Sequence, residues 1–282
     1  MTTTLRPEGP EEAGADGGRT RRWRIMVNGR PVGGLRTSAT PARGGTRVGS
    51  IAELEVREGH RRGRATVGAL AAEEVLRSWG CGRIDVTVPA DAEPALRLAR
   101  ALGYTETMRN LAKRLDDQPP PLPTELTHRP IGPAEYPAWR DASVAAYRER
   151  LTAAGATPAE AAERAAHDHH RALPAGPATP DTALRHLLDP DGRVLGSLWV
   201  ALRQDVLPDG RLLAWVMLVE VAPEHRGRGH GRTLMHLAEH ACRAAGVRDL
   251  GLNVFSDNTP ALALYDSLGY RPTRRVLAKP LL

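Results

Sequence analysis

The chain has 282 residues, and because 41% of them are hydrophobic but only 4% are aromatic, aliphatic side chains must fill its core. Its 39 basic and 33 acidic residues give a net charge of +6. The basic residues are scattered and almost all arginine, and they lack the interleaved aromatic residues that favour nucleic-acid binding. No apolar run approaches the ~18 residues of a membrane span, and the first residues show no signal-peptide pattern. Two cysteines, Cys81 and Cys242, exclude a disulfide framework, so we expect a soluble, cytoplasmic protein.

A first domain is predicted to follow a flexible tail. Residues 1–20 are rich in Gly, Glu, Thr and Pro, and this composition predicts disorder. From Trp23 onward, apolar and β-branched runs predict a domain over residues 21–115. Its predicted elements are strands near 24–27, 33–37 and 50–56, a helix, a strand at 83–88 and a helix ending at Gly103.

A proline-rich segment, DDQPPPLP from Asp116, predicts a linker over residues 116–125, because proline cannot continue a helix or donate to a sheet. Residues 126–282 form a second predicted domain. Its predicted elements are helices at 133–150 and 158–173, strands at 193–202 and 212–221, a helix at 233–245, a strand at 249–255, a helix at 259–268 and a strand at 276–279. This alternation after two leading helices predicts an α/β or α+β fold.

The two predicted domains are related in sequence. RGRATVGALAAEEVLRSWG from Arg62 matches RGHGRTLMHLAEHACRAAG from Arg228, and PALRLARALGY ending at Tyr104 matches PALALYDSLGY ending at Tyr270. The offset is constant, since 228 − 62 = 166 and 270 − 104 = 166. One register held over this length indicates an internal duplication with a domain-sized period. The first copy has no room for the two leading helices of the second.

A glycine-rich turn in the second domain carries the clearest chemical signal. The strand that ends near Val221 leads through Arg226-Gly-Arg-Gly-His-Gly231 directly into a helix. Free N–H groups at a helix start and glycines that admit close approach together form an anion site. A P-loop would need Gly-Lys-Ser/Thr, and a dinucleotide fingerprint needs a different glycine spacing. A plain surface turn is the alternative interpretation of the loop alone.

The loop is followed about 20 residues later by LNVFSDNTPALALYDSLGY. Together these segments resemble the GNAT (Gcn5-related N-acetyltransferase) superfamily. Arg226, Gly229 and Gly231 match its pyrophosphate motif, and Asn258, Tyr265 and Leu268-Gly269-Tyr270 match its second signature. The resemblance implies two tandem GNAT-like domains, each a mixed central sheet flanked by helices.

The resemblance also implies how acetyl-CoA is held. The backbone of Val221 would bond the pantetheine arm, which Asn258 would also contact, and Tyr265 would lie near the sulfur as proton or hydrogen-bond donor to the leaving thiolate. The residues assigned to the pyrophosphate loop are Arg226, Gly227, Arg228, Gly229, His230, Gly231, Arg232 and Thr233.

The attacking amine must lose a proton, and Glu220, on the strand beside the acetyl site, is the candidate base. Strand alternation turns residues 219 and 220 to opposite faces, unless a bulge intervenes. In other GNAT enzymes the base lies five residues earlier or on the next strand, positions held here by Trp215 and Asn253. A structural or substrate-binding role for Glu220 stays open.

The acceptor pocket has no motif, so its residues are chosen by type and place. Aromatic residues of the leading helices and central strands are candidates, with plain core packing as the alternative. They are Trp139, Tyr147, Trp199 and Trp215. The neighbours from His167 to His170 cannot all face one point on a helix, so we expect no metal site.

The first domain has lost the reactive groups. Its loop is one residue shorter around Arg61 and Arg62, and Ala99 and Ala92 stand where the second domain has Tyr265 and Asn258. We therefore expect it to be catalytically silent and to brace the second domain, while weak CoA binding there stays open.

The predicted function is an N-acetyltransferase whose second domain moves an acetyl group from acetyl-CoA to a primary amine by direct attack. The acceptor is a small molecule or a peptide, which the sequence does not name. The alternatives are a longer acyl-CoA donor, or a non-catalytic acyl-CoA-binding or scaffold protein. We expect a monomer, as a pseudo-dimer of domains, or a homodimer.

Overall fold

The computed structural model describes residues 3–14, 17–41, 46–57 and 63–281. The strands are β1 (Thr3–Pro7), β2 (Glu12–Ala13), β3 (Arg19–Val27), β4 (Arg30–Thr40), β5 (Arg47–Val56), β6 (Cys81–Pro89), β7 (Thr105–Arg114), β8 (Thr127–Pro130), β9 (Thr182–Leu188), β10 (Val194–Val206), β11 (Leu212–Val221), β12 (Asp249–Phe255) and β13 (Arg271–Pro280). The helices are α1 (Arg64–Ser78), α2 (Glu93–Ala101), α3 (Tyr136–Ala153), α4 (Pro158–Ala172), α5 (His230–Ala244) and α6 (Thr259–Ser267). In these ranges no helix is long and apolar enough to cross a membrane.

The chain divides into two compact units. Unit 1 comprises Met1–Met108 together with Arg274–Leu282, and unit 2 comprises Arg109–Thr273. Each contains a mixed sheet flanked by helices, as predicted from the sequence.

Unit 1 has the strand order β1-β3-β4-β5-β6-β13, in which only β5 and β6 run parallel. Its core lies between the sheet and α1 and α2, where apolar side chains are sealed from solvent: Ile25, Leu35, Leu76, Ile84 and Leu96. In the described part of this unit no helix precedes α1, whereas two helices lead unit 2.

The disorder predicted for residues 1–20 is wrong for Thr3–Pro7. Thr3–Pro7 pairs antiparallel with β3, with Thr3 opposite Val27, and Leu5 packs against the core. Leu5 is the one large apolar residue that this edge strand turns toward the core, and Thr4, Arg6 and Pro7 are exposed. Composition alone therefore misread a polar edge strand as a tail.

Unit 2 has the strand order β7-β12-β11-β10-β9-β8, with β11 and β12 parallel. One face of the sheet packs on α5 through the largest apolar cluster, which includes Leu198, Val200, Leu234, Leu250 and Leu252. The other face carries α3 and α4. Trp139 of α3 and Leu173, the C-cap of α4, pack there with Leu184 and Trp199 of the strands. The candidate site is built on this unit.

Each unit is completed by a strand from the other copy of the repeat. Leu111 of β7 lies in the core of unit 2, and Leu277, which is 277 − 111 = 166 residues later, lies in the core of unit 1. The predicted domains, 21–115 and 126–282, follow the sequence repeat, while the compact units exchange the last strand of each copy.

The chain contains two lysines, and each lies on one of the exchanged strands, Lys113 on β7 and Lys279 on β13. Lys113 Nζ lies 2.8 Å from Glu239 Oε1 in unit 2, and Lys279 Nζ lies 2.7 Å from Glu73 Oε2 in unit 1. The two ion pairs are related by the repeat, since 239 − 73 = 166 and 279 − 113 = 166. Each lysine therefore meets the glutamate of the other copy.

Candidate active site

A β-bulge in β11 sets which side chains face the site. Trp199 of β10 lies opposite Leu218, but the next residue, Val200, lies opposite Val216, so Met217 is an extra residue on β11. A bulge changes the parity of side chains along a strand, because two residues then oppose one.

The bulge brings Glu220 and Trp215 to the same face of the sheet. Val216, Val219 and Val221 pack on the α5 side, whereas Leu218 joins the cluster of Trp199 beneath α3 and α4. Glu220 alternates with Val219 and Val221 and therefore faces α3 and α4. Strand alternation without the bulge would have placed residues 215 and 220 on opposite faces.

The strands β11 and β12 separate beside Glu220. Their parallel pairing runs from Leu213–Asp249 to Val216–Leu252, although β11 continues to Val221 and β12 to Phe255. Over these described residues, the ends of the two strands make no ladder bonds to each other. The gap leaves backbone donors and acceptors available to a ligand.

The glycine-rich loop closes one end of the gap. Gly227 and Gly229 have φ of 76° and 85°, a left-handed conformation that favours glycine, and a Cβ on either would meet no atom within 4 Å. Gly229 is the N-cap of α5 and supplies no side-chain cap.

The N–H groups at this helix start are largely unpaired. In the described structure the five amides from Gly227 to Gly231 have no hydrogen-bond acceptor, whereas those of Arg232 and Thr233 donate to the Gly229 carbonyl. The loop therefore presents a row of donors at the positive end of a helix, which is suited to a phosphate group.

The other loop residues fix its position. Arg226 Nε donates to the Val221 carbonyl at 3.2 Å, and Arg232 donates to Ser267 Oγ of α6 at 2.7 Å. A Cβ on Gly231 would lie 3.2 Å from Leu264 Cδ2, so glycine there lets α6 approach α5 closely. Asn258 is the N-cap of α6, and its side-chain oxygen accepts from the Ala261 amide at 3.3 Å.

Tyr265 lies on α6, buried against Tyr270 with ring centroids 6.0 Å apart. Burial raises the pKa of its hydroxyl, and the nearby Arg150 guanidinium opposes that shift; no hydrogen bond to another described residue contributes. Arg150 Cζ also lies 5.8 Å from the ring centre of Phe255 at the end of β12. The proximity of Arg150 to Tyr265 and Phe255 was not predicted from the sequence, because the pattern of α3 does not indicate which strand end the Arg150 side chain reaches.

Two of the four predicted acceptor residues lie together. The rings of Trp139 and Trp199 are 6.0 Å apart, and His169 of α4 lies 5.7 Å and 5.1 Å from them. Trp215 instead packs over Gly251, where a Cβ would overlap its ring. Tyr147 packs between α3 and α4 and donates to Asp168 at 3.4 Å.

A buried polar pair next to Glu220 was also missed. His186 Nδ1 lies 3.0 Å from Ser197 Oγ, and Ser197 is opposite both His186 on β9 and Glu220 on β11. Burial lowers the pKa of the His186 ring, so it is neutral near pH 7. His186 is a single histidine in the mostly apolar strand β9, and nothing in the sequence indicates that it pairs with Ser197.

Unit 1 repeats the scaffold without the reactive side chains. Gly63, with φ of 72°, starts α1 as Gly229 starts α5, and the pairing of β5 with β6 stops at Ser50–Asp85. Ala99 is buried in α2, and Ala92 precedes that helix without a side-chain cap. The loop residues Arg61 and Arg62 lie outside the described residues.

The chain matches known proteins in sequence. The sequence model described as "Acetyltransferase (GNAT) family" matches residues 4–104 and 144–270. A mycothiol acetyltransferase of Thermomonospora curvata is 30% identical over 234 residues, which are 79% of this chain and 71% of that protein. Across three relatives of that name the chain spans 64% to 71% of their length.

Solved structures show the same fold. A GCN5-related N-acetyltransferase from Sphaerobacter thermophilus superposes with a TM-score of 0.59 at 20% identity, over 92% of this chain and 80% of that one. A tandem GNAT protein from the clavulanic acid biosynthesis pathway has a TM-score of 0.52 at 22% identity, over 95% and 85% of the two chains.

Proposed function

Because the chain belongs to the Acetyltransferase (GNAT) family, and is therefore an acyltransferase, we propose that unit 2 transfers an acetyl group from acetyl-CoA to a primary amine. The row of unpaired amides from Gly227 to Gly231, beside the gap between β11 and β12, carries this proposal. Enzymes of this family use acetyl-CoA as co-substrate, and its pyrophosphate is the kind of anion that such a row binds.

Several features of unit 2 fit acetyl-CoA. The facing edges of β11 and β12, which do not pair with each other beyond Val216 and Leu252, suit the amide groups of the pantetheine arm. The open space at Gly227 and Gly229 leaves room for the pyrophosphate. In this proposal the backbone of Val221, the loop from Arg226 to Thr233 and Asn258 hold acetyl-CoA, which supplies the activated acetyl group.

Glu220 takes the proton that the attacking amine loses. The amine nitrogen forms a bond to the acetyl carbonyl carbon, and the bond from that carbon to sulfur breaks. The bulge at Met217 supports this role, since it turns Glu220 toward α3 and α4. Trp215 and Asn253 hold the other candidate positions, but neither an indole nor an amide takes up a proton near pH 7.

Tyr265 donates a hydrogen bond to the sulfur as it leaves as a thiolate. A thiol has a pKa of about 8.5 and a tyrosine one of about 10. Burial raises the pKa of Tyr265 further, so its hydroxyl stays protonated and acts as a donor throughout the neutral range. The thiolate then takes its own proton from solvent.

Unit 1 is structural in this proposal, because Ala99 and Ala92 replace the tyrosine and asparagine of unit 2. The names of the relatives make mycothiol acetyltransferase activity the first acceptor reaction to assay. We place the reaction in the cytoplasm, which the free, buried Cys81 and Cys242 support. The alternatives are a longer acyl donor and a non-catalytic acyl-CoA-binding protein.

Calorimetric titration of acetyl-CoA tests the proposal. Gly229→Glu places a carboxylate beside the unpaired amides, and Gly63→Glu makes the same change at the matching, equally open position of unit 1. We expect one site per chain in the wild type and in Gly63→Glu, and none in Gly229→Glu. Thermal unfolding of both variants controls for strain, since both glycines have positive φ.

The other outcomes separate the alternatives. Two sites in the wild type, one lost in each variant, would show that unit 1 also binds acetyl-CoA. Tighter binding of a longer acyl-CoA would favour the longer donor. No binding by the wild type would overturn the acetyltransferase proposal and favour a scaffold.

A further inference from the structure

Three ring nitrogens in unit 2 are buried without a hydrogen-bond partner. They are Trp139 Nε1, His169 Nε2 and Trp199 Nε1, and no described residue bonds any of them. The three side chains are only 8%, 7% and 5% exposed, so bulk water does not hydrate them. Buried polar groups are nearly always paired, and each exception requires an explanation.

These nitrogens belong to one cluster. Trp139 on α3, His169 on α4 and Trp199 on β10 contact each other with ring centroids 5.1 to 6.0 Å apart. Most side chains that pack around the cluster are apolar, and they include Ile131, Leu173, Leu184 and Leu218. Tyr136 of α3 packs there as well, with its ring 5.8 Å from Trp139 and 6.5 Å from His169, but its hydroxyl bonds none of the three nitrogens. Since no described group of the chain pairs with them, the nitrogens are available to a group from outside the chain.

The donor and acceptor inventory limits what can pair with the cluster. The two indoles only donate, and neutral His169 accepts at Nε2 in the tautomer that carries its hydrogen on Nδ1, which is the tautomer this pairing requires. Burial and the charge of Arg140 lower the pKa of His169, so its ring is neutral near pH 7. A hydroxyl accepts two hydrogen bonds and donates one, which matches this set. A carboxylate cannot donate, and an ammonium cannot accept.

The cluster lies beside the candidate base. Trp199 is opposite Leu218 on β11, and Glu220 is two residues further along the same strand and on the same face. Two residues of a strand span about 7 Å. One small molecule can therefore reach both places.

We propose that the ring nitrogens of Trp139, His169 and Trp199 bind a hydroxyl group of the acceptor, which makes a hydroxyl-bearing primary amine the substrate class of unit 2. The inference rests on the proposed acetyl transfer and adds the chemistry of the acceptor to it.

Two matched amines test the inference. 5-Aminopentan-1-ol spans about 7 Å between nitrogen and oxygen, the two-residue spacing of a strand, and pentylamine lacks only the hydroxyl. We expect a kcat/KM about 10-fold higher for the amino alcohol, equivalent to about 1.4 kcal/mol. Trp199→Phe and Trp139→Phe should bring the ratio toward 1 by lowering only the rate with the amino alcohol. Trp79→Phe, at the C-cap of α1 in unit 1, is the control.

A second measurement does not require turnover. The indole ¹H–¹⁵N signals of Trp139 and Trp199, assigned from the two variants, should shift on addition of 5-aminopentan-1-ol and not of pentylamine. Equal rates for the two amines, or indole signals that neither amine moves, would overturn the inference and indicate that internal water pairs the nitrogens. Acetyl-CoA binding, measured separately, reports on the proposed function alone.

Discussion

Lys113 and Lys279 are the two lysines in a chain that otherwise uses arginine for its cations. Both ammonium groups sit beside a glutamate whose side chain is at most 4% exposed and near a tyrosine ring, Tyr270 at 5.7 Å and Tyr104 at 5.5 Å. An ammonium is a compact point charge, whereas a guanidinium is a wide planar fork. The space, and not only the charge, therefore selects lysine at these positions.

Two different replacements of Lys113 should each lower the free energy of unfolding. Lys113→Met leaves the buried Glu239 carboxylate without its counter-ion and with only the Tyr270 hydroxyl at 3.4 Å, so we expect a loss of about 3–5 kcal/mol in the free energy of unfolding. Lys113→Arg keeps the charge but overfills the site, with an expected loss of about 1–3 kcal/mol. Urea unfolding at constant m measures both.

Arg114→Met is the matched control for these variants. It removes a half-exposed cation from the same strand, and Asp249 keeps Arg211 at 2.7 Å. If Arg114→Met lowered the free energy of unfolding as much as Lys113→Met, the pairing of Lys113 with the buried Glu239 would not be the source of the loss.

Tyr265→Phe should lower kcat without changing the Kd of acetyl-CoA. Loss of one hydrogen bond to a developing anion costs about 10²–10³-fold in kcat. Because burial raises the pKa of Tyr265, its titration should cause no fall in the wild-type rate below about pH 10. Steady-state kinetics across pH measure both. Tyr104→Phe, in unit 1, should leave kcat unchanged; an equal fall there would contradict the assignment.

At the level of elements, α3 begins beside an ion pair that makes its stability depend on pH. The Arg129 guanidinium, with Nη2 2.7 Å from Glu135 Oε1, lowers the pKa of that carboxyl to about 2. A lowered folded pKa gives stability that is present above the ordinary value of 4.5 and is lost as pH falls toward 2. Both side chains are about two-fifths exposed, so the effect is small.

Glu135→Gln should therefore lower the Tm slightly at pH 7, and the difference from wild type should shrink as pH falls from 4.5 toward 2. Thermal unfolding at a series of pH values measures it. A difference that stays constant down to pH 2 would mean that the ion pair is not its source.

The sequence predicted some elements well and others poorly, for local reasons. The β-branched, apolar runs of β11 and β12 predicted their observed bounds, Leu212–Val221 and Asp249–Phe255. The helix α5 begins at His230, three residues before the predicted start at residue 233, because two glycines flanking His230 hide a helical turn. The strand β7, TETMRNLAKR, was missed because its polar residues resemble a loop.

The candidate site divides in the same way. The glycine loop and Tyr265 lie in recognisable motifs, so their positions could be predicted directly from the sequence. The bulge at Met217, the His186–Ser197 pair and the cluster of Trp139, His169 and Trp199 depend on register between distant strands and helices. No pattern in the sequence encodes that register.

At the level of the whole molecule, the exchange of β7 and β13 makes the two halves depend on each other. A cut in residues 116–125 would yield fragments that each hold a strand belonging to the other fragment's unit. We expect a chain cleaved there to stay together as a two-chain complex, as in domain-swapped assemblies.

Co-expression of residues 1–118 and 119–282 as separate chains tests this expectation. Size-exclusion chromatography should show one complex, and each fragment alone should aggregate or remain unfolded. Two independently folded fragments would show that the exchanged strands are dispensable.

The exchange also has a consequence for synthesis on the ribosome. Domains usually fold in the order in which they emerge, the N-terminal one first. Here the last strand of unit 1, from Arg274 onward, is translated after the whole of unit 2. The unit whose synthesis starts first is thus completed second, and a premature stop at residue 274 would damage unit 1, although every residue from Met1 to Met108 had been made.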